Sequence, residues 1–366
     1  MRTFLLLLIV FFSIQQNSYA VDVDQKIYAE LGVYEVIQAV PKDISDLIEP
    51  SEFLSGYGVN EALEALKLYA FQIIRGQFAL AIKPIIHTTL VILLCTIVSL
   101  IMPGKKQEFP ITMIGCTSIA YLNLSDTSSF FSDGIAVVQS LYDFSSVLLP
   151  CLAGASVFAG TSMSAGIKYT AAGLFMNILL NFSNTMLVPI VSMYLVCMMG
   201  DSIFHQPILG TVSNAIHKVC TTVITWAVVL FTTYLSVAGL VSGTGELLAA
   251  RITKTTLSNG LPIVGKIISD AASTLVAGAS IVRNGVGLLG MVVLIGMFVL
   301  PFASIGVRYL LFKLLSKMDH LWSEQRYTGL LKGISDAYGM MLAIIGSGFV
   351  MLFLTLLSFI QVTGVS

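Results

Sequence analysis

Residues 259–290 read NGLPIVGKIISDAASTLVAGASIVRNGVGLLG, and this stretch decides how the chain is laid out. Asn259-Gly260 and Pro262 spell a loop followed by the first turn of a helix, where proline is tolerated. Beyond that turn Ser269, Ala272, Ser273, Ala277 and Ser280 recur at helical spacing, while Ile267, Ile268, Leu275 and Ile281 supply bulk. Lys266, Asp270 and Arg283 bring charge to this small-residue background. Small residues let helices approach closely inside a bilayer, and ionisable groups there turn toward protein or water. A helix over 261–282 is therefore expected to face other protein or a water-filled path. Lys266, Ser269, Asp270, Ser273, Ala277, Gly278, Ser280 and Arg283 are its path-lining or helix-packing residues. Lys266 and Asp270, four apart, share a face. They form either a functional intramembrane pair or a neutralised structural one.

The composition around this stretch excludes a large soluble core. Of the 366 residues 56% are hydrophobic and only 11% charged, with a mean hydropathy of +0.90, against about 25% charged in soluble domains. Several apolar runs approach the roughly 20 residues that a spanning helix needs. The expected fold class is all-α, a polytopic helical membrane protein with about seven to eight transmembrane helices.

Charge divides along the chain. Residues 21–83 hold ten acids against five bases, and from residue 84 onward there are ten acids and thirteen bases. An acidic extracytoplasmic region (21–83) followed by a membrane domain (84–366) with basic cytoplasmic loops fits that division. A folded basic patch for nucleic acid is not indicated. At the start, Met1-Arg2, the apolar run Phe4–Phe12 and Ser18-Tyr19-Ala20 follow the plan of a cleavable signal peptide over 1–20. An uncleaved anchor is the alternative, and both place the following residues outside. Residues 21–58 are polar and broken by Pro41, Pro50, Gly56 and Gly58. Asn60 then caps a helix expected to reach about Ile82, with Leu63, Leu66, Ala70, Ile73 and Ile74 as its apolar stripe. That helix docks either a partner or its own membrane domain.

Spans are expected at about 85–102, 110–124, 145–163, 172–199, 219–241, 286–306 and 338–361, the fourth interrupted by Asn181, Ser183, Asn184 and Thr185 with Pro189 just beyond. Seven crossings leave seven bases from residue 84 onward inside and six outside, whereas adding 261–282 as an eighth leaves, apart from Lys266 within the crossing, ten inside and only Lys218 and Arg283 outside. The positive-inside bias prefers eight. In the basic segment 307–337, Leu311, Leu314, Leu315, Met318 and Trp322 form one stripe, with Arg308, Lys313, Lys317 and Asp319 off it. This is an amphipathic helix suited to the membrane interface or to packing on neighbouring loops.

Motifs of chemistry are weak. Gly285-Val-Gly-Leu-Leu-Gly290 satisfies the dinucleotide pattern but opens an apolar span without a preceding strand, which favours helix packing. The same holds for Gly239-x-x-x-Gly243. The five cysteines lie in or beside apolar runs with no C-x-x-C pair, and the four histidines lack ligand spacing. No cofactor, metal or catalytic group is expected, and any ATP hydrolysis belongs to another chain.

The acidic head, the glycine-rich multi-span body and above all Leu261-Pro-Ile-Val-Gly265, Ser269-Asp270-Ala271, Gly278-Ala279 and Asn284 resemble the stage III sporulation protein AE family. The resemblance implies a multi-pass protein made in the mother cell of an endospore former and placed in the membrane around the forespore. It implies membership of a channel or secretion-like complex needed for late forespore development. Implied partners are the other proteins of the stage III sporulation A operon, a secretion-type ATPase among them, and indirectly the forespore stage II sporulation protein Q. Membrane lipid and further copies of the chain complete the list. On that basis helix 261–282 lines or gates a path. The alternatives are a self-contained secondary permease and a non-conducting scaffold.

Overall fold

The computed structural model describes residues 28, 30–48, 59–102, 105–159, 163–204, 206–237, 264–319 and 325–361. The expected signal peptide, the loop around Asn259 and the anchor Trp322 lie outside the described residues. Those described form helices and no strand: α1 (Val33–Gln38), α2 (Lys42–Ser45), α3 (Val59–Ile101), α4 (Lys105–Phe158), α5 (Met163–Phe182), a π turn (Ser183–Leu187), α6 (Val188–Phe204), α7 (Pro207–Val237), α8 (Val264–Asp319) and α9 (Gln325–Gln361).

Six of these segments are long and apolar enough to cross a membrane: Glu64–Ile101, Ser132–Phe158, Thr170–Phe204, Pro207–Ser236, Asn284–Met318 and Arg326–Phe359. Seven to eight were expected, and the difference has two sources. The expected spans 110–124 and 145–163 share the single 54-residue helix α4, about 81 Å long at 1.5 Å per residue. The intervening residues 125–144 are polar but contain one glycine and no proline, so polarity there does not break the helix. Likewise the described part of 261–282, from residue 264 onward, and 286–306 share the 56-residue α8, and Arg283-Asn284-Gly285 lies in its interior instead of turning the chain. The turn that an eighth crossing requires at 283–285 is therefore replaced by continuous helix. The helix expected from Asn60 to about Ile82 also runs on through Pro84 into the first span. A proline costs a helix one hydrogen bond, a defect that spanning helices tolerate where neighbours compensate.

The long helices alternate in direction. Ser145 of α4 meets Asn177 of α5, while Gln139 meets Asn184 further on, so these two run antiparallel. Ser316 reaches the Thr328 carbonyl and Ser335 the Tyr309 carbonyl, which sets α8 antiparallel to α9. The α8 and α9 spans form the centre and are mostly buried, whereas the most apolar part of the α3 span is mostly exposed. Ring packing holds the middle: Phe298 stacks on Phe349 and Phe349 on Phe353, with Phe312 on Tyr338 toward one end. A Cβ on Gly290 would lie 2.8 Å from Leu148 Cδ2. Gly290, the last glycine of the Gly285–Gly290 run, therefore serves close helix packing.

The two ends of the bundle differ. At one, α1 and α2 seat Val33, Val36 and Ile44 in the core, and a Cβ on Gly296 of α8 would lie 2.6 Å from Ile44 Cδ1 and 3.3 Å from Leu66 Cδ2. Gly32 opens α1 in the left-handed region at φ 72°, a conformation glycine adopts without strain. Of the stripe expected on the first long helix, Leu66 is buried, Ala70 and Ile73 are half-buried and Ile74 is exposed; the Leu63 side chain lies outside the described ones. Phe71 and Phe78 of the same helix face outward. The opposite end carries Arg308, Lys313, Lys317, Arg326 and Lys332.

Candidate functional site

The backbone is helical from Val264 onward, so Lys266, Ser269, Asp270, Ser273, Ala277, Gly278, Ser280 and Arg283 belong to one unbroken helix. Their side chains lie outside the described ones. The i, i+4 spacing of Lys266 and Asp270 thus rests on a helical backbone, while their contacts remain expectations. At the C-terminal edge of this stretch Val282, Val286 and Leu289 are fully buried.

The described side chains bring a different polar group together, between α4 and α5. Asn184 Nδ2 donates to Gln139 Oε1 at 3.1 Å, and Gln139 Nε2 donates to Asp143 Oδ1 at 2.8 Å. One turn along, the Ser145 hydroxyl donates to Asn177 Oδ1 at 2.9 Å, and Thr185 Oγ1 to Asn181 Oδ1 at 3.3 Å. Gln139 and Asp143 stand four apart on α4, hence on one face.

The π turn begins at one end of this ladder. Its two contacts are six positions apart on α4 (139 to 145) and seven apart on the facing segment (177 to 184). A π turn inserts one extra residue into a helix, and Ser183–Leu187 places it at and beyond Asn184. The interruption legible at Asn181–Thr185 is therefore a widened turn within a continuous span.

Location gives the ladder its weight. A Cβ on Gly348 of α9 would lie 2.9 Å from Leu180 and 3.7 Å from Leu141, so Gln139 and Asp143 flank the level of the middle of the apolar part of α9. Yet Gln139, Asp143, Asn181 and Thr185 are exposed at the bundle surface. An ionisable residue at such a level normally faces protein or water. The Gln139 amide offers Asp143 a donor but no positive charge.

The interior beside the ladder is closed. The cavity there has a volume of about 40 Å³, between Leu180, Ser183, Leu187, Ile224, Ser347 and Gly348. That is room for about one water and far from the roughly 300–1,000 Å³ of ligand sites.

Other polar groups are structural. Asn123 Nδ2 donates to Thr88 Oγ1 at 3.1 Å and to the Ile119 carbonyl at 2.8 Å, which ties α3 to α4 in an apolar setting. Tyr194 packs against His217, ring centroids 5.8 Å apart. Cys116, Cys151 and Cys220 are buried, Cys95 and Cys197 half-buried, and all five are free thiols. Among the described residues no three His, Cys, Asp or Glu side chains gather as metal ligands would. Sequence reasoning passed over Gln139 and Asp143 because they fall between the expected spans 110–124 and 145–163. Their four-residue spacing, with Asn177, Asn181 and Asn184 at helical intervals downstream, was the available signal.

Comparison with known proteins bears on what such a surface serves. The family model described as stage III sporulation protein AE matches residues 50–363. A curated relative named stage III sporulation protein AE, from Bacillus subtilis (strain 168), is 20% identical over 258 residues, which is 68% of this chain and 63% of that protein. The match thus spans less than two thirds of the relative's length. No solved structure matches.

Proposed function

The chain belongs to the stage III sporulation protein AE family, and from that premise we propose that it is the multi-pass membrane core of a channel or secretion-like complex joining mother cell and forespore. It sits in the mother-cell membrane around the forespore, with the acidic α1–α2 end extracytoplasmic and the basic end of α8 and α9 in the cytoplasm, as the positive-inside bias requires. The other proteins of the stage III sporulation A operon, including a secretion-type ATPase, are its partners, and stage II sporulation protein Q is met indirectly. No catalytic step is assigned to this chain.

The observation that carries this proposal is the outward-facing Asn184–Gln139–Asp143 ladder on a bundle whose described interior is closed. An Asp at the centre of a spanning helix costs about 2.5–3.5 kcal/mol on insertion. Leaving it exposed to lipid is therefore unfavourable. A water-filled path completed by a neighbouring chain removes that cost. We place the path between chains, with the ladder as one wall and helix 264–283 as a second lining or gating element. Among the described residues the mid-bundle cavity beside the ladder is too small for a solute, which favours a shared path over a self-contained permease, whose site belongs at the midplane of a single chain.

The test is water-accessible thiol labelling in a version lacking the five native cysteines. Single cysteines go at 139, 143, 181 and 184 and at 266, 269, 270, 273, 277 and 280, with reagent added from each side. Labelling that follows one helical face and changes when the operon partners are present supports the shared path. Silence at every position, with and without partners, overturns it in favour of a non-conducting scaffold.

A further inference from the structure

The C-terminal part of α8 has a face that no described helix covers and that the path does not use. Leu310 is 62% exposed, Leu314 56% and Met318 45%, and Lys313 and Lys317 are exposed beside them. The other side of the same turns is packed. Phe312 stacks on Tyr338 and Ser316 donates to the Thr328 carbonyl, so the exposed row points away from α9.

Three features of this row specify its ligand. First, at 3.6 residues per turn Leu300, Leu310, Leu314 and Met318 fall within about 80° of arc. The row is thus continuous with the exposed side of the span above it, where Leu300 also faces outward. Second, both lysines lie on one flank of the row, where a long apolar stem covers hydrocarbon while the ammonium reaches the headgroup level. Third, Lys313 is held in place: its ammonium donates to the Tyr309 hydroxyl and lies 4.5 Å from the centroid of that ring. The remaining N–H donors of Lys313, and all those of Lys317, are left to point at an acceptor. An apolar row with cations along one edge matches a molecule that is apolar over one part and anionic at its head.

We infer that the Leu310–Lys313–Leu314–Lys317–Met318 face binds anionic phospholipid at the basic end of the bundle, acyl chains along the leucines and phosphate at the two lysines. The apolar row selects lipid over a free phosphate ion, because an inorganic anion gains nothing from Leu310, Leu314 or Met318. The inference is independent of the proposed path, which lies on α4, α5 and the N-terminal part of α8.

The test uses the full-length protein in nanodiscs of phosphatidylcholine mixed with phosphatidylglycerol, and mass spectrometry of the lipid retained on gentle extraction. Each lysine near an anionic surface is expected to contribute about five-fold to the preference for phosphatidylglycerol. K313Q/K317Q should therefore lower it by an order of magnitude or more, and K313R/K317R should keep most of it. Raising salt from 0.1 to 1 M should weaken the wild-type preference, since the screening length falls from about 10 to 3 Å. Equal retention of the two lipids by the wild type, or an unchanged preference in the glutamine variant, overturns the inference. So does displacement of lipid by millimolar inorganic phosphate, which would mark a simple anion site. Should K313Q/K317Q fail to insert, the wild-type salt titration decides: a preference indifferent to salt also overturns it.

Discussion

Gly296 is one place where the N-terminal segment is fastened to the membrane bundle, and enlarging it should loosen that segment without unfolding the rest. A Cβ there would lie 2.6 Å from Ile44 Cδ1, 3.3 Å from Ile44 Cγ2 and 3.3 Å from Leu66 Cδ2, where carbon atoms prefer about 3.5–4.0 Å. Gly296→Ala thus overlaps the tip of one flexible side chain by about an ångström, within the range of overpacking that costs about 1–3 kcal/mol. Gly296→Leu sets three further carbons in the same space. Ile44, only 3% exposed, then has to leave, and Val36 and Ile48 of the same small segment leave with it. Each such side chain contributes about 1.5–3 kcal/mol by burial, so roughly 4–9 kcal/mol of docking is lost. Helices as short as α1 and α2 hold no structure by themselves. The assay is limited proteolysis of the 21–58 region in sealed vesicles, alongside thermal unfolding of the bundle. Gly296→Leu should make the segment cleavable while the bundle keeps most of its stability, and Gly296→Ala should give an intermediate effect. Ile44→Ala removes the colliding carbons, so added to Gly296→Ala it should cost less than the two single effects combined. Wild-type protease resistance in Gly296→Leu, or strict additivity of the Ala pair, would refute this account of the docking.

Two other perturbations test the interior. Asn123→Ala should weaken the α3–α4 pairing by about 0.6–1.7 kcal/mol, the range for interhelical hydrogen bonds in membranes, and a double-mutant cycle with Thr88→Val in a refolding titration should show the two residues coupled. Deleting Met186, an exposed residue of the π turn, removes the extra residue and should restore regular helix there. Residues after 186 then shift by one position against their neighbours, so Tyr194 loses its register with His217, and a cysteine pair placed at 194 and 217 should cross-link efficiently only in the undeleted chain.

The all-helical, multi-span character was legible from composition, because apolar content and apolar run length do not depend on tertiary contacts. Crossing number was harder. Polar runs such as Ser125-Asp126-Thr127-Ser128-Ser129 look like loops, yet a chain without proline or paired glycines in them keeps its helical hydrogen bonds and simply lengthens α4. At Asn181–Thr185 the same kind of signal was informative, since several short polar side chains just ahead of Pro189 disturb a helix locally. The ladder itself was invisible. Gln139 and Asn184 are forty-five positions apart, and no periodicity within either helix reports which neighbour it meets. The docking of Ile44 on Gly296 was hidden for the same reason, although the glycine was a visible candidate for close approach.

Helix α3 makes the proposed multi-chain setting physically economical. Its exposed apolar side chains run from Leu68 to Ile101, about 50 Å along the axis at 1.5 Å per residue. The hydrocarbon of a bilayer is about 30 Å thick. Covering that whole face with lipid alone requires a tilt of roughly 50°, beyond the usual 0–40° range. At smaller tilt, part of the face extends past the hydrocarbon, where exposed leucine and isoleucine are stable only against other protein. On the proposed reading the same neighbours that complete the wall opposite Asp143 belong to an assembly that also covers this surplus. Among the described residues, an isolated chain leaves both a carboxylate facing lipid on α4 and an apolar face meeting water on α3. These two mismatches are opposite in sign, and association within the membrane relieves them together.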